Sequence, residues 1–235
     1  MPATGHNGTF TLLIDADDTL WENNIYFERV IARFFEDFPG HSPAALRQTL
    51  DAVEREIVAT HGYGLCAFER ALVRACERLT GALPGPEREA ELRKLARSVN
   101  EHPMELLPGV PETLAYLASR HSLILMSKGD PAEQSAKLDR SGLRHHFAAV
   151  EIVREKDEAV YRDALARHNL AAFSTWMIGN SAKSDVNPAL AAGLNAVFVP
   201  HDMTWVLEHE HLSPPPPEPA RLLVLARFTE LREHF

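Results

Sequence analysis

The sequence has few cysteines and no long apolar segment. Its two cysteines among 235 residues, Cys66 and Cys76, lie in one stretch with helical periodicity. Ten residues of helix rise about 15 Å, which is too far for a disulfide. No apolar run approaches the roughly 20 residues that cross a bilayer, and the first ten residues are polar, without an apolar signal region. We therefore expect a cytoplasmic protein without disulfides.

Runs of basic residues are also missing. The 24 Lys and Arg residues are scattered, and the 33 Asp and Glu residues bring the net charge to −9. Such a surface repels phosphate backbones and anionic lipids, which argues against nucleic acid or a membrane as the main partner. A local cation can reverse the sign of one pocket, so an anionic small molecule stays compatible with this charge. Nothing in the sequence indicates an oligomeric state.

What the sequence does contain is a change of pattern along the chain. Residues 9–14 are apolar and β-branched and stop at acidic residues, as a buried strand does. Residues 24–100 then carry apolar side chains at helical spacing, and after that block short strands alternate with amphipathic helices. This alternation predicts an α/β fold with a parallel sheet covered on both faces. We expect a core domain of residues 1–22 and 107–235, and an inserted helical domain of residues 23–106.

Local signals predict where several elements begin or end. Ser42 precedes a proline and predicts a helix N-cap, and Asp130 with Glu133 predicts a capping box at the start of another helix. The proline-rich residues 213–219 predict an extended connector. Residues 221–235 then predict a last strand and helix at the edge of the sheet.

Polar residues follow three of the predicted strands. Asp15 and Asp17 come after the first strand, Ser127 after a strand that begins at residue 122, and Asn180 after one that begins at residue 175. Ligands of open parallel sheets bind beyond the carboxyl ends of the strands. We therefore expect these three segments to meet in one crevice beneath the helical insertion.

The acidic pair after the first strand predicts a cation site. Asp15 and Asp17 point to the same side of an extended segment, where they repel each other unless a proton or a cation lies between them. Mg²⁺ suits hard carboxylate oxygens. Asn180 offers a further carbonyl oxygen and Asp185 a further carboxylate. Taken alone, the D-x-D-x-T pattern favours an acidic turn or a helix cap instead.

Two other segments predict contacts with a phosphate. The Ser127 hydroxyl, with the backbone of Lys128 and Gly129 at a helix start, is suited to cradle a phosphate. Lys156 could neutralise a phosphoryl oxygen or hold a nucleophile ionised. Each signal is weak by itself, because a serine at such a turn is often a cap and most such lysines are solvated.

Taken together and in order, the segments DADDTLW, LMSKGD, REKDEAVY and GNSAKSD resemble the four motifs of the haloacid dehalogenase-like hydrolase superfamily. The resemblance spans nearly the whole chain, and it implies a Rossmann-like core with a helical first-position cap. It implies that the enzyme is a Mg²⁺-dependent phosphatase acting on a small phosphorylated metabolite.

The same resemblance implies roles for individual residues. Asp15 would be the nucleophile that forms an aspartyl-phosphate, and Asp17 the general acid and base. Ser127 and Lys156 would bind the phosphoryl group together with Lys128 and Gly129. The implied metal ligands are Asp15, Asp17, Asn180 and Asp185. Asn180 departs from the family pattern, where an aspartate is more common, so the metal would be held with one charge fewer.

The sequence leaves two alternatives to a phosphatase open. A 2-haloacid dehalogenase would use the same scaffold, but that branch has no acid two residues after the nucleophile and needs no metal, so Asp17 argues against it. A binding or regulatory relative with a weak site is the second alternative, motivated by Asn180. Substrate choice is expected to lie in the cap, and the candidate residues near the crevice are Tyr26, Phe27, Tyr63, Phe68, Arg70 and residues 201–205.

Overall fold

The computed structural model describes residues 9–214 and 220–235, and a six-stranded sheet lies at its centre. The strands are β1 (Thr11–Ile14), β2 (Ser122–Lys128), β3 (Ala149–Val153), β4 (Thr175–Gly179), β5 (Asn195–Phe198) and β6 (Leu222–Val224). All neighbours are parallel, in the order β3-β2-β1-β4-β5-β6. The predicted α/β class with a Rossmann-like sheet is confirmed. In this order β1 and β4 are neighbours at the point where the winding reverses, and crevices open at such points.

A block of four helices follows β1. These helices are α1 (Asn24–Glu36), α2 (Pro43–His61), α3 (Leu65–Thr80) and α4 (Pro86–Arg97). Ser42 caps α2 as predicted, because its hydroxyl accepts a hydrogen bond from the Ala45 N–H. The block has an apolar cluster of its own, which includes Phe34, Leu50 and Leu72.

Four further helices cover the sheet: α5 (Val110–Ala118), α6 (Pro131–Ser141), α7 (Glu158–Arg167) and α8 (Asn187–Ala191). Side chains of a strand alternate between its two faces. Leu12 and Ile14 accordingly pack with Leu114 of α5 on one face, whereas Leu13 packs with Tyr161 of α7 on the other. The first strand is therefore buried from both sides, which holds its carboxyl end in a fixed position.

The capping box predicted at α6 is only half correct. Asp130 caps the helix by accepting hydrogen bonds from the N–H groups of Ala132 and Glu133. Glu133 does not reach back to Asp130, however. Its carboxylate accepts a hydrogen bond from the Leu65 N–H at 3.1 Å, at the start of α3. A residue expected to serve its own helix thus joins the sheet domain to the helical block.

The two chain segments that connect the block to the sheet run side by side. The Leu107 N–H donates to the Leu20 carbonyl, and the Glu22 N–H donates to the Glu105 carbonyl, both at 2.9 Å. The predicted domain boundaries, 22–23 and 106–107, lie in this short ladder.

Near the carboxyl terminus, β6 is followed by a 3₁₀ helix, Phe228–Glu233, where the sequence predicted an ordinary helix. Most of the predicted proline-rich connector, residues 215–219, lies outside the described residues, as do residues 1–8 of the polar start. In the part of the chain that the structure describes, no helix has both the length and the apolar character to cross a bilayer.

Candidate active site

Asp15 lies directly beyond β1 and is 7% exposed. Its N–H continues the sheet by donating to the Ile178 carbonyl of β4. Its carboxylate has two partners: the Thr19 hydroxyl donates to Oδ2 at 2.9 Å, and the Lys156 ammonium lies 2.5 Å from Oδ1. The carboxylate is therefore held in one orientation at the centre of the sheet edge.

Lys156 bridges two acidic residues. It lies between β3 and α7, is 4% exposed, and contacts Oδ1 of Asp185 at 2.6 Å as well as Asp15. Burial lowers the pKa of Lys156, but the two carboxylates outweigh burial and hold its pKa above the usual value. Burial also raises the pKa of Asp15 to about 7, because Lys156 offsets only part of the burial and the Asp185 charge adds to it. One ammonium does not fully compensate two buried carboxylates.

The segment after β4 brings Asp185 close to the strand end. A side-chain Cβ at Gly179 would lie 2.2 Å from Asp185 Oδ2, so only glycine permits this approach. The chain continues in a π-helical turn, Ala182–Val186, before α8, and the Ser181 N–H donates to Asp185 Oδ2 at 2.9 Å. The wider π turn places Asp185 over the strand end, as such turns often do at functional sites.

The oxygens at this edge suit a magnesium ion. The Thr19 hydroxyl has two acceptors within reach of its single proton, Asp15 Oδ2 at 2.9 Å and Asn180 Oδ1 at 3.1 Å, so both oxygens lie around one hydroxyl. With Asp185 they form a set of hard oxygen ligands and carry an excess of negative charge, which is the donor chemistry that Mg²⁺ prefers. Asp15, Asn180 and Asp185 therefore fit the predicted metal.

Asp17 has different partners from those predicted. The Lys137 ammonium lies 2.8 Å from Oδ2 and 2.9 Å from Oδ1, while Gln134 and the Trp21 indole also donate to the carboxylate. Burial raises the pKa of Asp17, but Lys137 and these donors outweigh burial, so the pKa is lowered. A general acid would require the opposite direction. The two oxygens of Asp17 accept four such contacts, whereas those of Asp15 and of Asp185 accept two each, so Asp17 has less free donor capacity for a metal.

The last two residues of β2 provide a hydroxyl and a cation. Gln134 donates to Ser127 Oγ at 2.9 Å, so the hydroxyl hydrogen of Ser127 stays available for a ligand oxygen. The Gly129 N–H donates to the Val153 carbonyl, so it is not free for a phosphate as the cradle prediction assumed. The Lys128 ammonium contacts Glu208 at 2.6 Å, and its charge is thus already paired.

All eight predicted site residues line one cavity, with about 180 Å³ of space that water molecules can enter. The helical block closes the opposite wall, to which Phe27, Tyr63 and Phe68 contribute as predicted, with Trp205 from the loop after β5. Two other predicted neighbours, Tyr26 and Arg70, do not belong to this lining among the described residues.

Several residues of the site were not anticipated. In the sequence, Thr19 stands out only as part of the D-x-D-x-T pattern. Gln134 and Lys137 belong to no motif of the sequence and lie within α6. A signal for the last two existed: residues three apart lie on the same face of a helix, and α6 begins next to Ser127. Their joint contact with Asp17 depends on the distance between β1 and β2, which periodicity does not reveal.

A second acidic group lies beside the junction of the two domains. Asp18 caps the following turn by accepting hydrogen bonds from the N–H groups of Asn23 and Asn24. His201 Nε2 lies 3.3 Å from Glu22, and its Nδ1 accepts a hydrogen bond from the Met203 N–H. These contacts tie the loop after β5 to the start of α1.

Two comparisons with known sequences give matches over most of the chain. A family model described as haloacid dehalogenase-like hydrolase matches residues 11–193. Phosphoserine phosphatase of Thermus thermophilus is 32% identical over 225 residues, with 80% of this chain and 87% of that protein covered.

Two solved structures illustrate the structural likeness. A haloacid dehalogenase-like family hydrolase from Xanthomonas campestris superimposes with a TM-score of 0.83 at 28% identity, covering 99% of this chain and 94% of that one. L-2-haloacid dehalogenase from Xanthobacter autotrophicus gives a TM-score of 0.63 at 16% identity, covering 96% of this chain and 98% of that one. At that identity the second likeness concerns the fold alone.

Proposed function

The chain belongs to the haloacid dehalogenase-like hydrolases, and from this premise we propose that it is a Mg²⁺-dependent phosphatase that hydrolyses a small phosphorylated metabolite through an aspartyl-phosphate. The observation that carries the proposal is the Asp15 carboxylate, held at the end of β1 by Thr19 and Lys156 and facing a cavity. The name of the Thermus relative, phosphoserine phosphatase, supports a phosphomonoester as the substrate.

In the first displacement, an oxygen of Asp15 attacks the phosphorus and the bond to the ester oxygen breaks. Asp17 gives its proton to the departing oxygen, so an alcohol leaves and Asp15 carries the phosphoryl group. A dianionic phosphate beside Asp17 raises the pKa of that carboxyl group, which opposes the lowering by Lys137 and favours the proton-bearing form at this step.

In the second displacement, Asp17 takes a proton from water while the water oxygen attacks the phosphorus. The bond between phosphorus and Asp15 breaks, inorganic phosphate leaves, and both carboxyl groups return to their starting states. Asp17 can serve both steps because its partners, Lys137 and Gln134, hold it in one place.

Charge compensation is the main task of the remaining residues. Lys156 offsets the repulsion between the anionic nucleophile and an anionic ester, and the Ser127 hydroxyl donates to a phosphoryl oxygen. Asp15, Asn180 and Asp185 would hold Mg²⁺, which when bound supplies further positive charge at the phosphoryl group. We assign Lys128 a supporting part, since its charge is shared with Glu208.

We also propose that residues 23–106 form a cap over the catalytic domain. Its polar contacts with that domain include a hydrogen bond of the Tyr63 hydroxyl to Glu155 at 2.7 Å, as well as the Leu65–Glu133 contact. The paired segments at residues 20–22 and 105–107 are where such a cap would hinge.

The test is hydrolysis of p-nitrophenyl phosphate with Mg²⁺ and with a chelator. We expect turnover that needs Mg²⁺, an increase in melting temperature when Mg²⁺ is added, and loss of turnover in Asp15→Asn while the variant stays folded. Full activity of Asp15→Asn would remove the nucleophile assignment. Complete inertness of the parent at high enzyme concentration would favour a binding role, and release of chloride from 2-chloropropionate in chelator would favour dehalogenation.

A further inference from the structure

Glu54 of α2 is a buried carboxylate with no part in the proposed chemistry. It is 6% exposed and lines the same cavity as Asp15, but it belongs to the helical block and not to the sheet. The indole N–H of Trp205 donates to its Oε2 at 3.1 Å. The cavity therefore has, besides the carboxylates at the catalytic edge of the sheet, a further carboxylate in the wall that the helical block forms.

The second oxygen of Glu54 is free to accept. Among the described residues, no donor lies within hydrogen-bond distance of Oε1, and no ion pair includes Glu54. A buried carboxylate is disfavoured unless a cation or donors compensate its charge. Burial outweighs the hydrogen bond from Trp205 and raises the pKa of Glu54 to about 7. The positive charge of Arg47 also lowers this pKa, but the carboxylates of Asp51 and Glu28 oppose it, so the charge of Glu54 is not fully compensated.

The rest of the cavity does not supply the compensating positive charge. Eight carboxylate side chains line it against three lysines, and each lysine is already paired with at least one carboxylate near the sheet. No arginine or histidine joins this lining in the described part of the chain. A ligand that extends from Asp15 towards Glu54 therefore has its phosphate at the sheet edge and its other end against the helical block. Among the described lining residues of that block, Glu54 is the charged side chain.

Four aromatic side chains belong to the same cavity lining as Glu54. Phe27 and Phe68 pack edge to face with ring centres 5.0 Å apart, and Tyr63 and Trp205 do so at 6.1 Å. Aromatic faces attract cations as well as apolar groups, and they exclude water that would weaken a charge pair.

We propose that Glu54, oriented by Trp205, binds an ammonium group of the substrate, so that the enzyme selects phosphomonoesters of amino alcohols. The proposal rests on the proposed phosphatase function, because it takes the phosphate to lie at Asp15. It places the two opposite charges of such a substrate at opposite walls of one cavity, each beside compensating groups.

The test compares 2-aminoethyl phosphate with 2-hydroxyethyl phosphate, which differ only in an ammonium and a hydroxyl group. We expect kcat/KM to favour the amine by roughly ten- to hundredfold, the range of one charge-assisted hydrogen bond. Glu54→Gln keeps an oxygen for the Trp205 N–H but loses the charge, so the preference should fall about tenfold or more, mainly through KM.

Glu56→Gln is the matched control, since Glu56 is exposed on the same helix and contacts Arg78. It should keep the full preference. An equal kcat/KM for the two esters in the parent enzyme, or an undiminished preference in folded Glu54→Gln, would overturn the ammonium site.

The two proposals fail in different ways. If p-nitrophenyl phosphate is hydrolysed while the amine and the alcohol are used equally, the ammonium site is wrong and the phosphatase function stands. If no ester is hydrolysed, calorimetric titration of the parent with both esters decides: tighter binding of the amine supports the site, and equal binding rejects it. This comparison needs no variant, so a misfolded Glu54→Gln would not prevent the decision.

Discussion

The ammonium of Lys156 lies 2.5 Å from Oδ1 of Asp15, although the two residues are 141 positions apart in the sequence. The same ammonium contacts Asp185, so three segments of the chain meet at one cation. Each segment follows a strand of the parallel sheet, and the strands are held in register by apolar packing on both faces. The site therefore depends on the sheet for its geometry and on Lys156 for its charge balance.

Replacement of this lysine should affect both stability and turnover. In Lys156→Met, Asp15 and Asp185 lose their shared cation while staying buried, and removing one partner of a buried ion pair destabilises a protein by roughly 3–5 kcal/mol. We expect a lower midpoint in urea unfolding and a fall in kcat of about a hundredfold or more. Lys183→Met is the control, because Lys183 is exposed and contacts only the Leu207 carbonyl among described residues. Equal unfolding midpoints for both variants would contradict the structural part of this prediction.

Replacement of Asp17 should reduce kcat/KM by a factor that depends on the leaving group of the substrate. Asp17→Asn has no proton to give, and a general acid contributes roughly 10²–10⁴-fold to a step that needs one. An alkyl phosphate has a poor leaving group and should lose most of this factor in kcat/KM. p-Nitrophenyl phosphate has a good leaving group and should lose much less. An equal loss for both substrates would remove Asp17 from the role of acid.

The sheet and the convergence of its strand ends were predictable because both follow from local patterns. Apolar strands alternating with helices predict a parallel sheet, and carboxyl ends of such strands share one edge. This argument predicts that Asp15, Ser127 and Asn180 share one crevice, and the family resemblance adds Lys156 and Asp185. Their roles in catalysis remain proposals.

Hydrogen-bond and ion-pair partners that lie on different helices, strands or loops were not predictable from the sequence. Glu133 has the spacing of a capping box, yet it binds the start of α3, because the position of the helical block over the sheet decides its nearest donor. Gln134 and Lys137 meet Asp17 because β1 and β2 are neighbours in the sheet, which the spacing of residues within one helix does not reveal. The burial of Glu54 was not predictable either, because glutamates of amphipathic helices are usually exposed. Its hydrogen-bond donor, Trp205, comes from a loop 151 residues away in the sequence.

Removal of Lys137 should shift the pH dependence of the first displacement. Lys137 contacts both oxygens of Asp17 and, with Gln134 and Trp21, holds the pKa of that carboxyl group below its usual value despite burial. In Lys137→Met the pKa of Asp17 rises, so the proton-bearing form persists to higher pH. With an alkyl phosphate, the decline of kcat/KM at increasing pH should move to higher pH than in the parent.

The control for this shift is again Lys183→Met, which removes the same charge from an exposed side chain that does not belong to the cavity lining. Its pH profile should coincide with that of the parent. A Lys137→Met profile that coincides with both would show that Asp17 does not limit this displacement through its protonation.

Glu54 should make the stability of the protein depend on pH. Its pKa is about 7 in the folded chain, against 4.5 for an unperturbed glutamate, so the folded state holds more protons than the unfolded state between these values. The free energy of unfolding of the parent accordingly decreases as the pH rises from 4.5 to 7, by at most about 3 kcal/mol from this group. Glu54→Gln does not titrate. Its melting temperature should therefore increase relative to the parent through that window and level off above it.

Glu56→Gln should behave in the opposite way, which makes it an internal control for this last prediction. The hydrogen bond from Arg78 lowers the pKa of Glu56, so the ionised carboxylate stabilises the folded state above its unperturbed pKa. Removing that charge should slightly lower the melting temperature at neutral pH and have no effect in acid, where the carboxyl group is protonated in both states. Parallel melting curves of parent and Glu54→Gln from pH 4 to pH 8 would mean that Glu54 is ionised as easily in the folded protein as in water, and that a compensating cation already lies beside it.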